Sequence, residues 1–192
     1  ADLAAARLST VMRLWAGLGY YRRARNLHQA AKIVVADYEG QLPRHIKGLR
    51  SLPGIGRYTA GAIASIAFNR PAPMVDGNVQ RVLARVFGLK ENPKTQPGLG
   101  QVWLWAEQLV LGAADQPVRN QSPTQMILNY IYRSSSAFNQ GLMDLGATIC
   151  TPRQPQCKRC PWSRACVARR SGLVDQLPNL GKRPRGTMIH QT

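Results

Sequence analysis

Apolar residues recur along much of the chain three and four positions apart, the spacing that places them on one face of an α-helix. Glycine or proline follows most of these stretches, as expected where helices end. Alternation of apolar and polar residues at every second position, which would indicate strands, is not evident. The sequence therefore predicts an all-α fold, with helices over residues 4–18, 23–38, 46–52, 57–68, 78–87, 102–111 and 138–150.

Two segments do not show this helical pattern. Residues 115–136 join the turn-forming sequences DQPVRNQSPTQ and RSSS to the apolar MILNYIY, which suits a helix, a strand or a surface insertion. Residues 176–192 are rich in proline, glycine and basic residues, a composition typical of a linker or a terminal tail.

The charge of the chain points to a polyanionic partner. The 192 residues include 26 Lys and Arg against 9 Asp and Glu, which gives a formal net charge of +17. Nucleic acid and an anionic membrane surface are the simplest partners for such a charge. No apolar run approaches the about 20 residues that span a bilayer, and the N-terminus lacks a secretion-signal pattern. The basic residues are dispersed over several helices, which favours a surface that follows phosphates.

All four cysteines lie in one short stretch, where Cys150, Cys157, Cys160 and Cys166 have the spacing C-x6-C-x2-C-x5-C. Two disulfides here would leave the rest of the chain unlinked, and no secretion signal supports them. Structural zinc sites usually have two close cysteine pairs separated by a longer loop, whereas this run has one close pair. Four thiolates in so local a run favour an iron–sulfur cluster, with zinc as the alternative.

Two short motifs carry further hypotheses. LPGIGRYTAG, residues 52–61, predicts two helices joined by a tight turn, because Gly54 and Gly56 permit backbone conformations that side chains would block. The amides of that turn, with the N-terminus of the second helix, can hold a phosphate oxygen or a cation. VDGN, residues 75–78, places Asp76 just before a helix. Taken alone, Asp76 is predicted to be a capping residue.

In their order along the chain, these motifs resemble the MutY family of adenine DNA glycosylases, within the helix–hairpin–helix superfamily. The resemblance runs from about Leu14 to Pro178 and is carried by LWAGLGYYRRARNLHQAA, LPGIGRYTAGAI, VDGNVQRVLARVFGL, FNQGLMDLGATIC and the cysteine spacing. It implies a helical barrel lobe over residues 1–136 with the hairpin at about 44–69, an iron–sulfur lobe over 137–178 and a basic linker over 179–192.

The resemblance also implies an activity, a partner and a cofactor. A family member removes adenine mispaired with 8-oxoguanine or guanine from double-stranded DNA and holds a [4Fe-4S] cluster. We expect a monomer located in the cytoplasm, on the nucleoid if the source is bacterial, and not at a membrane. As adenine leaves, the sugar becomes oxocarbenium-like, and an anion facing the anomeric carbon lowers that barrier. The base must first leave the stack, since its glycosidic bond is unreachable inside a duplex.

The functional residues of the family fall on matching positions of this chain. Asp76 resembles the catalytic aspartate, and Asn78 a residue that polarises or positions the catalytic groups. Tyr58 stands where related bifunctional enzymes have a Schiff-base lysine, so base removal without strand cleavage is implied. The other matches are Leu18, Tyr20 (an aromatic wedge), Gly54, Gly56 and Arg57 for DNA binding, Asn139 and Gln140 for the base pocket, and Cys150, Cys157, Cys160 and Cys166 for the cluster.

Three features depart from the family pattern. The general-acid glutamate of the family lies on a helix before Leu14, and Glu39, Glu91 and Glu107 are outside that context, so we expect this chain to lack it. We also expect the C-terminal domain that reads 8-oxoguanine to be absent. Residues 115–136 are longer and more irregular than the family suggests. An endonuclease III-like glycosylase with lyase activity, a non-catalytic iron–sulfur DNA-binding fragment and a zinc-bearing binding module are the alternatives.

Overall fold

A computed structural model describes residues 1–114 and 134–181, and all regular structure in these two ranges is helical, which confirms the all-α prediction. None of the helices described there is long and apolar enough to cross a bilayer. The predictions for residues 115–133 and 182–192 lie outside the described residues. The helices are α1 (Asp2–Ala5), α2 (Leu8–Leu14), α3 (Tyr21–Asp37), α4 (Ile46–Ser51), α5 (Arg57–Ala62), α6 (Gly77–Phe87), α7 (Gly98–Ala114), α8 (Ser135–Asp144) and α9 (Val167–Arg170), with π-helical continuations of α5 over Ile63–Ala67 and of α8 over Leu145–Ile149.

The first predicted helix, residues 4–18, is two helices in the structure. The backbone is extended at Ala6 (ψ 148°) and at Arg7 (ψ 139°), so α1 ends before α2 begins. The Ala6 carbonyl accepts a hydrogen bond from His28 Nε2 at 2.9 Å and is therefore satisfied outside a helix. Apolar spacing does not reveal this break, because it reports which side chains are buried and not where each carbonyl finds its donor.

The chain forms two compact units. The first contains Ala1–Met74 and the described residues of Ala113–Ala137, and the second contains Val75–Gly112 and the described residues of Phe138–Thr192. The hairpin helices α4 and α5 belong to the first unit, whereas α6 and the cysteine run belong to the second. The lobe boundaries implied by the family resemblance stay a prediction.

The first unit packs small residues of the hairpin helices into its core. Ala60 and Ala64 on α5 and its continuation are fully buried and cluster with Leu49 on α4. A Cβ atom at Gly61 would collide with the carbonyl oxygen of Pro73. Helix α5 therefore approaches the following chain segment more closely than any side chain would allow, which fixes the hairpin within its unit.

Helix α6 lies at the centre of the second unit. Val79 and Leu83 are fully buried and pack with Val102 of α7 and Leu142 of α8. Burial of each such aliphatic side chain stabilises the fold by about 1.5–3 kcal/mol relative to exposure. The helix begins directly after Asp76, so burial of its apolar face determines where that carboxylate stands.

Candidate active site and cysteine loop

Asp76 occupies the N-cap position of α6. Its Oδ1 accepts a hydrogen bond from the Val79 amide at 2.7 Å, which confirms the capping role predicted from the sequence. Its Oδ2 accepts a second hydrogen bond, from Asn78 Nδ2 at 3.2 Å. Both carboxylate oxygens are thus held in place, one by the helix backbone and the other by a side chain.

Arg81 connects this carboxylate to the cysteine run. Its Nη2 donates to Asn78 Oδ1 at 2.8 Å, and its Nε donates to the Cys150 carbonyl at 2.7 Å. Burial lowers the pKa of Arg81, an effect that the neighbouring Cys150 and Asp76 oppose and that Arg85 reinforces. A continuous set of hydrogen bonds therefore runs from the Asp76 carboxylate to the backbone of the first cysteine.

The π-helical continuation of α8 brings Gly146 against the start of α6. Its carbonyl accepts a hydrogen bond from Arg81 Nη2 at 2.7 Å, while the Cys150 amide donates to the Leu145 carbonyl at 2.7 Å. A Cβ atom at Gly146 would lie 2.7 Å from Asn78 Cβ and 3.0 Å from the Asn78 carbonyl oxygen. Only glycine permits this approach, which places Asn78 and Arg81 within hydrogen-bonding distance of each other and of the cysteine run.

Arg85, one turn after Arg81, is buried at 3% exposure and has no carboxylate partner among its hydrogen bonds in the described structure. Its donors reach backbone carbonyls on both sides of the cysteine loop instead. The contacts are Nε to Leu177 O at 2.8 Å, Nη1 to Thr151 O at 2.7 Å and to Cys150 Sγ at 3.4 Å, and Nη2 to Pro152 O at 3.2 Å. One buried guanidinium therefore holds the entrance of the loop and the chain that leaves it.

The four cysteines line one cavity of the second unit, and none of them forms a disulfide. Burial raises the pKa of Cys157 and of Cys160, and the neighbouring cysteines raise both further. Thiolates at these positions would repel one another, and nearby cationic groups would offset that repulsion. Arg85 and Arg169, which also line the cavity, are such groups. Within residues 1–114 and 134–181, no three His, Cys, Asp or Glu side chains form a group that could hold a single metal ion.

Asp76 also lines an open cleft in the second unit. Asn78 and Arg81 form part of its wall, together with Lys94 from the loop after α6 and Asp175 from the chain after α9. The sequence pattern does not single out these last two residues, because they lie in irregular segments and only folding brings them to the same cleft. Any ligand there meets charges of both signs.

The hairpin of the first unit has the tight turn that its glycines predict. Gly54 has φ +80°, and a Cβ atom there would lie 2.8 Å from Asn26 Nδ2, so conformation and space both require glycine. Gly56 has φ −82°, and a Cβ atom there would meet nothing within 4 Å. Arg57 and Tyr58, the latter 38% exposed, open the next helix. The fold does not itself require glycine at position 56, because a Cβ atom there would extend into open space.

The loop between α2 and α3 presents apolar side chains to solvent. Leu18 is 64% exposed and Tyr20 is 78% exposed. Gly19 and Tyr20 have φ values of +65° and +46°, and for tyrosine this left-handed conformation is unfavourable. Trp15 Nε1 donates to the Gly19 carbonyl at 2.9 Å, and the Arg23 guanidinium carbon lies 4.9 Å from the Tyr20 ring centroid. The loop is thus held from both sides, while the Tyr20 ring remains accessible.

Asn139 and Gln140 lie next to each other on α8 but in different surroundings. Asn139 is 1% exposed, whereas Gln140 is exposed. Their assignment to a base pocket stays a prediction. Burial favours a role for Asn139 within the packed unit, and exposure leaves Gln140 accessible to a ligand.

Comparison with known proteins places these features in a family. Residues 1–105, more than half of the chain, match the family described as HhH-GPD superfamily base excision DNA repair protein, so the chain belongs to that superfamily. The adenine DNA glycosylase of Arabidopsis thaliana is 48% identical over 158 residues, which cover 82% of this chain and 22% of that protein. That of Homo sapiens is 45% identical over 177 residues, which cover 92% of this chain and 29% of that protein. The resemblance to adenine DNA glycosylases that the motifs carry is thereby confirmed.

A solved structure supports the same fold. The structure of a thermostable thymine-DNA glycosylase matches this chain with a TM-score of 0.68 at 33% sequence identity, covering 88% of this chain and 69% of that chain. The chain spans less than a third of the two curated relatives described above, 22% and 29% of their lengths.

Proposed function

We propose that this chain carries the catalytic machinery of an adenine DNA glycosylase, which hydrolyses the N-glycosidic bond of adenine paired with 8-oxoguanine or guanine in double-stranded DNA. The observation that carries the proposal is the Asp76 carboxylate, fixed through both oxygens at the edge of an open cleft. Two relatives 45% and 48% identical to most of the chain are adenine DNA glycosylases, which supports the choice of base.

In this proposal Asp76 acts electrostatically on the sugar. As adenine leaves, positive charge develops on the anomeric carbon and the ring oxygen, and a carboxylate placed against them stabilises that charge. The Val79 amide and Asn78 Nδ2 each donate to one carboxylate oxygen, so the group needs no rearrangement as the charge develops. The adenine nitrogen leaves with the electron pair of the glycosidic bond, water supplies a hydroxyl group to the anomeric carbon and its remaining proton balances the released adenine, which leaves an abasic site.

Asn78 is a positioning residue in the same proposal. Its Oδ1 accepts from Arg81, which directs its Nδ2 toward Asp76. An amide group has one acceptor and one donor end, so a guanidinium on the first end determines where the second end points. Arg81 is itself held by two backbone carbonyls of the second unit.

Hydrolysis without strand cleavage follows from Tyr58, since a phenol cannot form a Schiff base with the sugar. This distinguishes the proposal from the endonuclease III-like alternative, which needs a lysine there. Glu39, Glu91 and Glu107 are all exposed, and none of them lines the cleft at Asp76. The general-acid role of the family is therefore assigned to none of these three glutamates.

Double-stranded DNA is the proposed partner, supported by the net charge of +17. Gly54, Gly56 and Arg57 would hold a backbone phosphate at the start of α5, where a Cβ atom at Gly56 would meet nothing within 4 Å. Leu18 and Tyr20 would insert into the duplex beside the lesion, which their exposure allows. Gln140, which is exposed, would contact the extruded adenine, and the buried Asn139 would support the pocket from within the packed unit.

A [4Fe-4S] cluster is the proposed cofactor. Four free thiols line one cavity, and two arginines that also line it offset their charge. A [4Fe-4S] cluster binds four thiolates, one at each iron. When bound, it supplies iron–thiolate bonds that hold the loop together. The ligands would be Cys150, Cys157, Cys160 and Cys166.

Metal content tests this assignment. We expect about four irons per chain and a yellow-brown colour after anaerobic purification. Cys157→Ser should lose most of the iron, whereas Ser163→Ala, which changes another residue lining the cavity, should keep it. Stoichiometric zinc without visible absorbance would instead establish the zinc alternative.

The Asp76→Asn variant tests the catalytic proposal. Asparagine caps a helix about as well as aspartate, so the melting temperature should change little. Loss of the carboxylate charge should slow adenine release by about a hundredfold or more. The measurement is a single-turnover assay on an A:8-oxoguanine duplex, followed by alkali to cleave the abasic strand. The assay uses the 192-residue chain and a longer version carrying the upstream glutamate of the family.

Asp175→Asn provides the matched control, because it removes one carboxylate from the same cleft. Its rate should stay within a few fold of the parent. Equal rates for Asp76→Asn and the parent in the longer version would show that Asp76 is only a cap. Strand cleavage without alkali would favour the endonuclease III-like alternative, and duplex binding without adenine release in either version would favour a non-catalytic fragment.

A further inference from the structure

We propose that Arg23 is a positioning residue for Tyr20: its guanidinium covers one face of the phenol ring and leaves the opposite face open for stacking on a DNA base. The inference rests on the insertion of Tyr20 into the duplex proposed above, and it adds a residue that controls how the ring is presented.

The geometry of the pair carries the inference. The Arg23 guanidinium carbon lies 4.9 Å from the ring centroid, within the about 6 Å over which a cation is attracted to an aromatic face. The Arg23 amide also donates to the Tyr20 carbonyl at 2.7 Å, which ties the two residues together at the first turn of α3. Since Tyr20 is 78% exposed, core packing does little to restrain its ring.

The backbone of Tyr20 indicates that the direction of the ring matters. Tyr20 has φ +46° and ψ 44° directly after Gly19, which also has a positive φ. A bulky residue in this region is strained, and glycine would adopt the conformation freely. Because the Tyr20 ring is exposed, burial of the ring does not compensate for this backbone strain. The strained conformation instead directs the ring away from the unit. Arg23 then limits the rotations left to that ring, which reduces the entropy lost when it inserts.

The same helix offers two matched controls. Arg22 and Arg25 are exposed as Arg23 is and lie in the same first turns of α3. Among the aromatic rings of residues 1–114 and 134–181, neither of them lies over one. Replacing any of the three with glutamine removes one positive charge, so all three variants lose attraction to phosphate. Only Arg23→Gln also removes the cation from the Tyr20 ring.

The experiment uses the 192-residue chain and a duplex with an A:8-oxoguanine pair flanked by 2-aminopurine, whose fluorescence rises when it is unstacked. We expect Arg23→Gln to weaken binding about two- to fivefold more than Arg22→Gln or Arg25→Gln. It should also give a smaller fluorescence rise at saturation. Arg23→Lys, which keeps a cation, should recover part of both effects.

A second measurement needs no DNA. In protein with ¹³C-labelled tyrosine rings, the Tyr20 signal, assigned through Tyr20→Phe, should shift in Arg23→Gln and not in Arg22→Gln. An unshifted signal, or equal losses of binding in the three glutamine variants, would overturn the role of Arg23 and leave the proposed function standing. A parent chain that binds the duplex without any fluorescence rise would overturn the insertion of Tyr20 and, with it, this inference.

Discussion

Replacing Arg85 with methionine should destabilise the second unit strongly. Methionine fills much of the space of the arginine stem but donates no hydrogen bond. Arg85 is 3% exposed, and its two shortest bonds reach the carbonyls of Thr151 at 2.7 Å and Leu177 at 2.8 Å. Leu177 is itself only 7% exposed, so water cannot easily replace the lost donor there.

The expected cost follows from those two bonds. A hydrogen bond from a charged donor contributes about 1.5–3 kcal/mol net, so two contribute about 3–6 kcal/mol. This figure counts only the two short bonds. The contacts to the carbonyl of the exposed Pro152 and to the Cys150 sulfur are longer. Removing a buried charge also removes its desolvation cost, which offsets part of the loss. A net loss of about 3 kcal/mol corresponds to a fall of about 6–12 °C in the melting temperature of a chain of this size.

Thermal unfolding followed by the helical circular dichroism signal measures this fall, and the iron content of the same samples reports on the loop. The control is Arg170→Met, the same replacement at an exposed position of α9, which should stay within about 2 °C of the parent. An Arg85→Met protein that melts within about 2 °C of the parent would refute the reasoning, because the buried guanidinium would then not be holding the loop.

Two glycine replacements give further predictions. Gly146→Ala should lower the melting temperature by several degrees and slow adenine release in the single-turnover assay. The reason is that the new Cβ would lie 2.7 Å from Asn78 Cβ and push α6 away. An unchanged melting temperature and rate would contradict this close approach. Gly54→Ala should lower the melting temperature, since it combines φ +80° with a contact of 2.8 Å to Asn26 Nδ2. Gly56→Ala should leave the melting temperature unchanged but weaken duplex binding, and equal binding by Gly56→Ala and the parent would argue against a phosphate at this turn.

Local features of the fold could be predicted from the sequence because their causes are local. Helical spacing of apolar residues located the helices, and the glycines of LPGIG located a turn in which Gly54 does have positive φ. The N-cap role of Asp76 depends on atoms three residues apart and was equally predictable. The break at Ala6 was not, because the Ala6 carbonyl finds its donor in His28, on another helix.

The polar network of the second unit could not be predicted for the same reason. Arg81 lies 69 residues from the Cys150 carbonyl that it binds, and Arg85 lies 92 residues from its Leu177 partner. In the sequence both arginines look like the basic face of a solvated helix. The contact of Arg81 with the Gly146 carbonyl depends on a π-helical segment, whereas the local pattern of residues 138–150 shows only a helix.

A helix cap and a catalytic carboxylate need different hydrogen bonds, and the two oxygens of Asp76 have different partners. The cap uses Oδ1 and the Val79 amide, and any short acceptor would supply it. The bond from Asn78 to Oδ2 adds nothing to the helix terminus, yet Asn78 is oriented by Arg81 and fitted against a glycine. In Asp76→Asn the new amide can keep the cap but must place its own NH₂ group where Asn78 donates. The melting temperature therefore reports the first role of Asp76 and the rate of adenine release reports the second, so that one variant distinguishes them.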